Sequence, residues 1–234
     1  MLELSKKIDY TNLEEQILAE DLILLCKKAI KYNVASVCIL PKFIKQTKQL
    51  LINTNIKLCT VISFPKGNNK KIEKISQTKQ AISDGADEID MVFNYKLLKK
   101  YWSKKKLPKI IEEELITEIF EISKICNLNN CLLKVIIESG LLTKEQTKIA
   151  AEICIKGNTN YIKTSTGKVK IGAEPQKVNV IREVINKLNT DVKIKISGGI
   201  RTLDDIKKYD KYNISRIGMG YKSADEIFTN FNLA

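Results

Sequence analysis

The strongest constraint on the fold is a repeated alternation. Eight short apolar runs, most of them rich in Val and Ile, are separated by longer stretches with apolar residues at helical spacing. The runs lie at 7–11, 35–40, 58–64, 88–93, 132–137, 161–165, 192–196 and 215–218. Runs of this kind read as buried strands, and strands alternating with helices build a parallel sheet. Helical patterns cover 13–32, 69–84, 112–126, 143–155, 175–188 and 203–209. The Thr-Lys-Glu-Gln at 143–146 has the form of a capping box. A closed barrel and an open doubly wound sheet both fit. Eight strands at about equal spacing favour closure. No Gly-x-Gly-x-x-Gly follows an early strand to support a dinucleotide-binding sheet. The expectation is an α/β, (β/α)8 TIM barrel forming one domain over residues 1–234.

Composition narrows the chemistry. The chain has no histidine. That excludes a Ser-His-Asp triad, a Cys-His pair and a His-ligated zinc. Acid–base work must come from Lys, Asp, Glu, Tyr or Cys. The six cysteines are scattered without a Cys-x-x-Cys pair, so neither a zinc site nor a disulfide framework is legible. No metal and no organic cofactor is expected. The N-terminal stretch has no long apolar run, so a cytoplasmic protein without a membrane anchor is expected. Forty Lys and Arg against 27 Asp and Glu give a net charge of +13. Such a field attracts anions, from phosphorylated metabolites to nucleic acid. The basic stretch at 96–109 reads as a solvated loop rather than a nucleic-acid arm, and no nucleic-acid partner is expected.

Charged residues inside apolar strands need an explanation, because an unpaired buried charge is costly. Asp9, Asp90, Lys134, Lys163 and Lys195 all occupy such positions. Near strand ends of a barrel, side chains like these converge on the catalytic face. A lysine amine attacks a carbonyl only when unprotonated, and burial and a neighbouring cation both favour that form. Lys163 is the candidate nucleophile, forming an imine that acts as an electron sink. Lys195 is the candidate neighbouring cation, and Asp90 with Lys195 the candidate proton shuttle. Gly-rich turns follow the last three strands: Thr164 to Lys168 with Gly167, then Gly198 and Gly199, then Gly218 and Gly220. Glycine lets backbone N–H groups approach a phosphate, so a phosphorylated aldehyde or sugar is the expected substrate class.

With these residues in place, the sequence resembles the deoxyribose-phosphate aldolase family of class I aldolases. The resemblance is carried by Ser-Val-Cys-Ile-Leu-Pro at 36–41, Val-Ile-Ser-Phe-Pro-Lys-Gly at 61–67 and Ala-Asp-Glu-Ile-Asp-Met-Val at 86–92. It continues through Leu-Lys-Val-Ile-Ile-Glu at 133–138, Ile-Lys-Thr-Ser-Thr-Gly at 162–167, Lys-Ile-Ser-Gly-Gly-Ile-Arg at 195–201 and Arg-Ile-Gly at 216–218. It implies reversible cleavage of 2-deoxy-D-ribose 5-phosphate to D-glyceraldehyde 3-phosphate and acetaldehyde, in deoxyribonucleotide catabolism. It implies that Lys163 forms the imine, Lys195 perturbs it and assists proton transfer, Asp90 relays protons and Lys134 holds the aspartate. Cys38 and Thr164 would belong to the substrate site, and Gly167, Lys168, Gly198, Gly199, Gly218 and Gly220 would face the phosphate. A homodimer is the assembly the resemblance suggests. The chain departs from the family at Met219, Gly220 and Tyr221, where hydroxyl residues are usual, and at Tyr10, where many relatives carry His. Tyr221, Lys222 and Ser223 are candidates to compensate. The two rival readings are a lysine-imine aldolase for another phosphorylated sugar and a non-enzymatic basic barrel that binds anions or nucleic acid.

Overall fold

In the computed structural model, described over residues 2–230, eight parallel strands close into a barrel in chain order. They are β1 Ile8–Asn12, β2 Ser36–Ile39, β3 Lys57–Ile62, β4 Glu88–Val92, β5 Leu132–Ile136, β6 Tyr161–Lys163, β7 Lys193–Ser197 and β8 Arg216–Gly220. The helices are α1 Leu2–Ser5, α2 Ala19–Tyr32, α3 Ile44–Leu50, α4 Lys71–Ser83 and α5 Tyr95–Tyr101. They continue with α6 Lys109–Leu128, α7 Lys144–Lys156, α8 Pro175–Lys187, α9 Leu203–Lys207 and α10 Tyr221–Asn230. Every residue of β2 and β4 is buried. This is the expected state of strands covered by helices outside and by side chains inside, and it explains continuous rather than alternating apolar runs.

The expected barrel is the observed one, with strand bounds displaced by one or two residues. The helical pattern from residue 13 is corrected at its start: α2 begins at Ala19, and 13–18 form the loop after β1. The capping box at α7 is present, with Gln146 N–H donating to Thr143 Oγ1 at 3.2 Å and Thr143 N–H donating to Gln146 Oε1 at 3.0 Å. The basic stretch is only partly a loop. Its first part is α5, which buries Tyr95 and Leu98, and the rest turns back through a bridge between Ser103 and Lys106. Lys74 on α4 is wholly buried and reaches Glu118 on α6 at 2.6 Å and the Val92 carbonyl at 3.1 Å. This ion pair ties two helices to the end of β4, beside the catalytic face.

Candidate active site

Pairing register dictates which side chains meet. Partners across a parallel ladder stand side by side, and successive residues along a strand alternate faces. Asp90 is the partner of Lys134 across β4 and β5. Lys163 is the partner of Lys195 across β6 and β7. All four converge inside the barrel. Asp90 Oδ2 accepts from Lys163 Nζ at 2.7 Å and from Lys195 Nζ at 2.6 Å. Asp90 Oδ1 accepts from Lys134 Nζ at 2.9 Å and lies 3.3 Å from Cys59 Sγ. Beneath this group, Asp9 pairs with Lys195 at 2.5 Å and with Arg216 at 2.6 Å. Glu88 pairs with Lys134 at 2.7 Å and with Arg216 at 2.8 Å.

Three carboxylates therefore face four cations, leaving one positive charge in excess. Loss of one proton makes the cluster neutral. Lys134 and Lys195 are fully buried, whereas Lys163 keeps 4 % exposure at the end of its strand. Burial works against the Lys195 ammonium, but the carboxylates of Asp9 and Asp90 outweigh it and hold the group above the ordinary lysine range. Burial likewise opposes the Lys134 charge and is outweighed by Asp90, Cys59 and Glu88. For Asp90, burial raises the carboxyl, yet Lys134, Lys163 and Lys195 together hold it well below the usual range. An ammonium donor and a carboxylate acceptor thus stand in contact around the one lysine that opens outward.

Above Lys163 lies a cleft of about 290 Å³ at the carboxyl ends of the strands. Lys163 forms its floor, and Gly167, Lys168, Gly198, Gly199, Gly218 and Gly220 line it. Gly198 adopts φ +83°, and an added Cβ would sit 3.0 Å from the Gly172 Cα. Both facts require glycine there. Gly218 is glycine for want of space, since an added Cβ would meet Ser197 Cβ at 2.9 Å and Lys195 Cε at 3.2 Å.

Thr164 and Cys38 stand apart from that cleft. Thr164 is fully buried; its hydroxyl donates to the Ser197 carbonyl at 3.1 Å and accepts from Ser197 N–H at 3.0 Å. It staples the ends of β6 and β7 together. Cys38 lies inside the barrel against Cys59 and Asp90. Of the three candidates to compensate for the missing hydroxyls, Ser223 lines the cleft. Tyr221 packs edge-on against Tyr10, and Lys222 reaches toward Glu14 at 3.8 Å. Tyr10 faces the helices, and its hydroxyl donates to Asp225 on α10, so this departure does not touch the lysine cluster.

Sequence reasoning missed Glu88, Arg216, Cys59 and Glu138. Glu88 and Arg216 are the first residues of β4 and β8, where a charge reads as solvent-facing. Glu138 is fully buried with φ 50°. It accepts from the Thr166 N–H at 3.1 Å and from the Thr166 hydroxyl at 2.5 Å. The same hydroxyl oxygen accepts from the Lys168 N–H at 3.1 Å. Burial pushes the Glu138 carboxyl up, against the pull of those Thr166 hydrogen bonds. A glutamate directly after an apolar strand, facing a Thr-Ser-Thr-Gly turn, was the available signal.

Comparison with known proteins points the same way. Residues 4–221 match the DeoC/LacD family aldolase profile. The chain is 37% identical over 217 residues to a deoxyribose-phosphate aldolase of Mycoplasma pneumoniae, covering 93% of this chain and 90% of that protein. It is 39% identical over 217 residues to a deoxyribose-phosphate aldolase of Clostridium botulinum strain Langeland, covering 93% of this chain and 96% of that one. The tetrameric deoxyribose phosphate aldolase of Aeropyrum pernix superposes with a TM-score of 0.84 over 99% of this chain and 92% of that chain. At 24% identity, that likeness speaks to the fold.

Proposed function

This chain belongs to the DeoC/LacD family of aldolases, and from that premise we propose that it reversibly cleaves 2-deoxy-D-ribose 5-phosphate through an imine on Lys163. The observation that carries the reading is the shared oxygen: Asp90 Oδ2 takes both Lys163 and Lys195, 2.7 and 2.6 Å away. In the open-chain sugar, the unprotonated Lys163 amine adds to the C1 aldehyde, and loss of water gives the protonated imine. The C3 hydroxyl then loses its proton and the C2–C3 bond breaks. Its electron pair moves into the imine to give an enamine, releasing D-glyceraldehyde 3-phosphate. Protonation at C2 and hydrolysis by one water release acetaldehyde and restore Lys163.

The neighbours divide the remaining work. Lys195 as donor and Asp90 as acceptor form the relay for the C2 proton, since both are held in their charged forms beside the imine position. Lys134 occupies Asp90 Oδ1 and so leaves Oδ2 to the two other lysines. Lys168 and Arg201, with the Gly-rich backbone of the cleft, offer the cations and N–H groups a phosphate needs. A deoxyribonucleotide-catabolic role and a cytoplasmic location belong to the same reading. Among the described residues, no helix is long and apolar enough to cross a membrane.

A homodimer is part of the proposal, supported by apolar side chains left open on α2, among them Leu24 at 50 % exposure. Light scattering on the purified protein tests it. The rival of a non-enzymatic anion binder leaves the buried lysines unexplained. The rival of another phosphorylated substrate is separated by a cleavage and condensation panel. Turnover should be greatest with 2-deoxyribose 5-phosphate, and with acetaldehyde as donor in the reverse direction. A stronger preference for another donor would overturn the substrate assignment while leaving the imine chemistry intact.

A further inference from the structure

We propose that Cys38, Cys59 and Asp90 form an inhibitory site for a soft divalent cation of the zinc class. Sequence spacing hides this cluster, because the two cysteines lie on different strands. The fold makes them register partners across β2 and β3. All three residues are fully buried, and their ligating atoms lie within 4.8 Å of one another. Zinc bonds of about 2.3 Å to sulfur and about 2.1 Å to oxygen, in tetrahedral geometry, place such donors about 3.6 Å apart. Cys59 Sγ already stands 3.3 Å from Asp90 Oδ1. Side-chain shifts of about 1 Å bring donors that lie within 4.8 Å of one another to that separation.

Charge balance supports the site despite the lysines around it. A divalent cation would replace the two thiol protons, which pass to solvent, so the net charge of the cluster is unchanged. Burial first, then the Cys38 hydrogen bond and Asp90, hold the Cys59 thiol well above the ordinary range against the pull of Lys134 Nζ 3.3 Å away, so the cation itself must displace that proton. The remaining four cysteines are free and buried, and none belongs to a comparable group with a carboxylate among the described residues. Occupation would draw Asp90 Oδ1 away from Lys134 and loosen the carboxylate that Lys163 and Lys195 share. The loss of activity rests on the proposed function; the binding itself does not.

Cadmium is the probe, added to the full-length protein with a phosphine reductant in weak buffer. We expect an ultraviolet metal–thiolate absorption that saturates at one cadmium per chain, with two protons released. Cleavage activity should fall in parallel and return on adding a chelator. The absorption should vanish in Cys59→Ala and in Cys59→Ser, the second keeping the size of the side chain, and should survive in Cys126→Ala. Absorption that persists in both Cys59 variants, or that depends on Cys126, would overturn the site. Binding at Cys38 and Cys59 with undiminished cleavage would overturn its inhibitory role. A wild-type protein that never cleaves the sugar would sink the proposed function alone, because the absorption reads the metal site by itself.

Discussion

Lys163 and Lys195 are register partners on β6 and β7, and their ammonium nitrogens meet the same oxygen, Asp90 Oδ2. Lys195 also holds Asp9, so it is locked between two carboxylates, while Lys163 is the member that opens to the cleft. Lys195→Met should therefore act on both rate and stability. Removing the proton donor should lower kcat by about 10²–10⁴-fold. Leaving two buried carboxylates short of a partner should cost about 3–5 kcal/mol. Single-turnover kinetics and urea denaturation read the two effects, and a variant with wild-type kcat would contradict the relay.

The cluster predicts an acid limit to stability. Burial raises the Asp9 carboxyl, but Lys195, Lys134 and Arg216 outweigh it and hold the group below its ordinary value of 3.8. A depressed folded value means that the contribution is fully present above pH 3.8 and lost as pH falls further, through the folded value. Asp90 behaves in the same sense. The urea midpoint of Asp9→Asn should start lower than wild type at neutral pH and fall less steeply under acid. Parallel acid losses in the two proteins would contradict the coupling.

Glu138 is a positioning residue rather than a catalytic one. Through Thr166 it holds the turn that presents Gly167 and Lys168. Glu138→Ala should raise KM for the phosphorylated sugar much more than for 2-deoxyribose without its phosphate, with kcat less affected. Glu138→Gln retains an acceptor for the Thr166 N–H and should recover part of the loss. A purely structural role would instead reduce activity on both sugars alike.

Lys168 tests the phosphate end of the cleft directly. A charge-assisted hydrogen bond contributes about 1.5–3 kcal/mol, so Lys168→Ala should raise KM for the phosphorylated sugar roughly tenfold to a hundredfold. The salt dependence of kcat/KM should shrink at the same time, because one screened cation is gone. An unchanged KM would place the phosphate elsewhere.

The barrel was legible because its strands are covered on both faces, which writes them as continuous apolar runs. The lysines and Asp90 stood out for the same reason: a charge inside such a run has few explanations. The short helices α3 and α5 were not legible, although the shorter α9 was, its start marked by the Thr202 cap. Over the seven residues of α3 or of α5, helical spacing has too few repeats to stand clear of chance. Nor were Glu88 and Arg216, since a charge near a strand start is ordinary at a surface, and only closure of the barrel shows that both point inward. The Cys38–Cys59 neighbourhood depends wholly on register between β2 and β3, which local sequence does not encode. Thr164, expected at the substrate site, stands apart from the cleft because its hydroxyl is consumed by Ser197, a partner that local sequence does not reveal.

Among forty Lys and Arg, Lys163 alone is expected to bond covalently to substrate. Borohydride reduction in the presence of acetaldehyde, followed by peptide mass mapping, tests it most directly. One reduced two-carbon adduct is expected on Lys163, absent in Lys163→Arg, whose guanidinium is too weakly nucleophilic to form the imine. An adduct on Lys195 alone, or no adduct in a protein that still turns over, would contradict it.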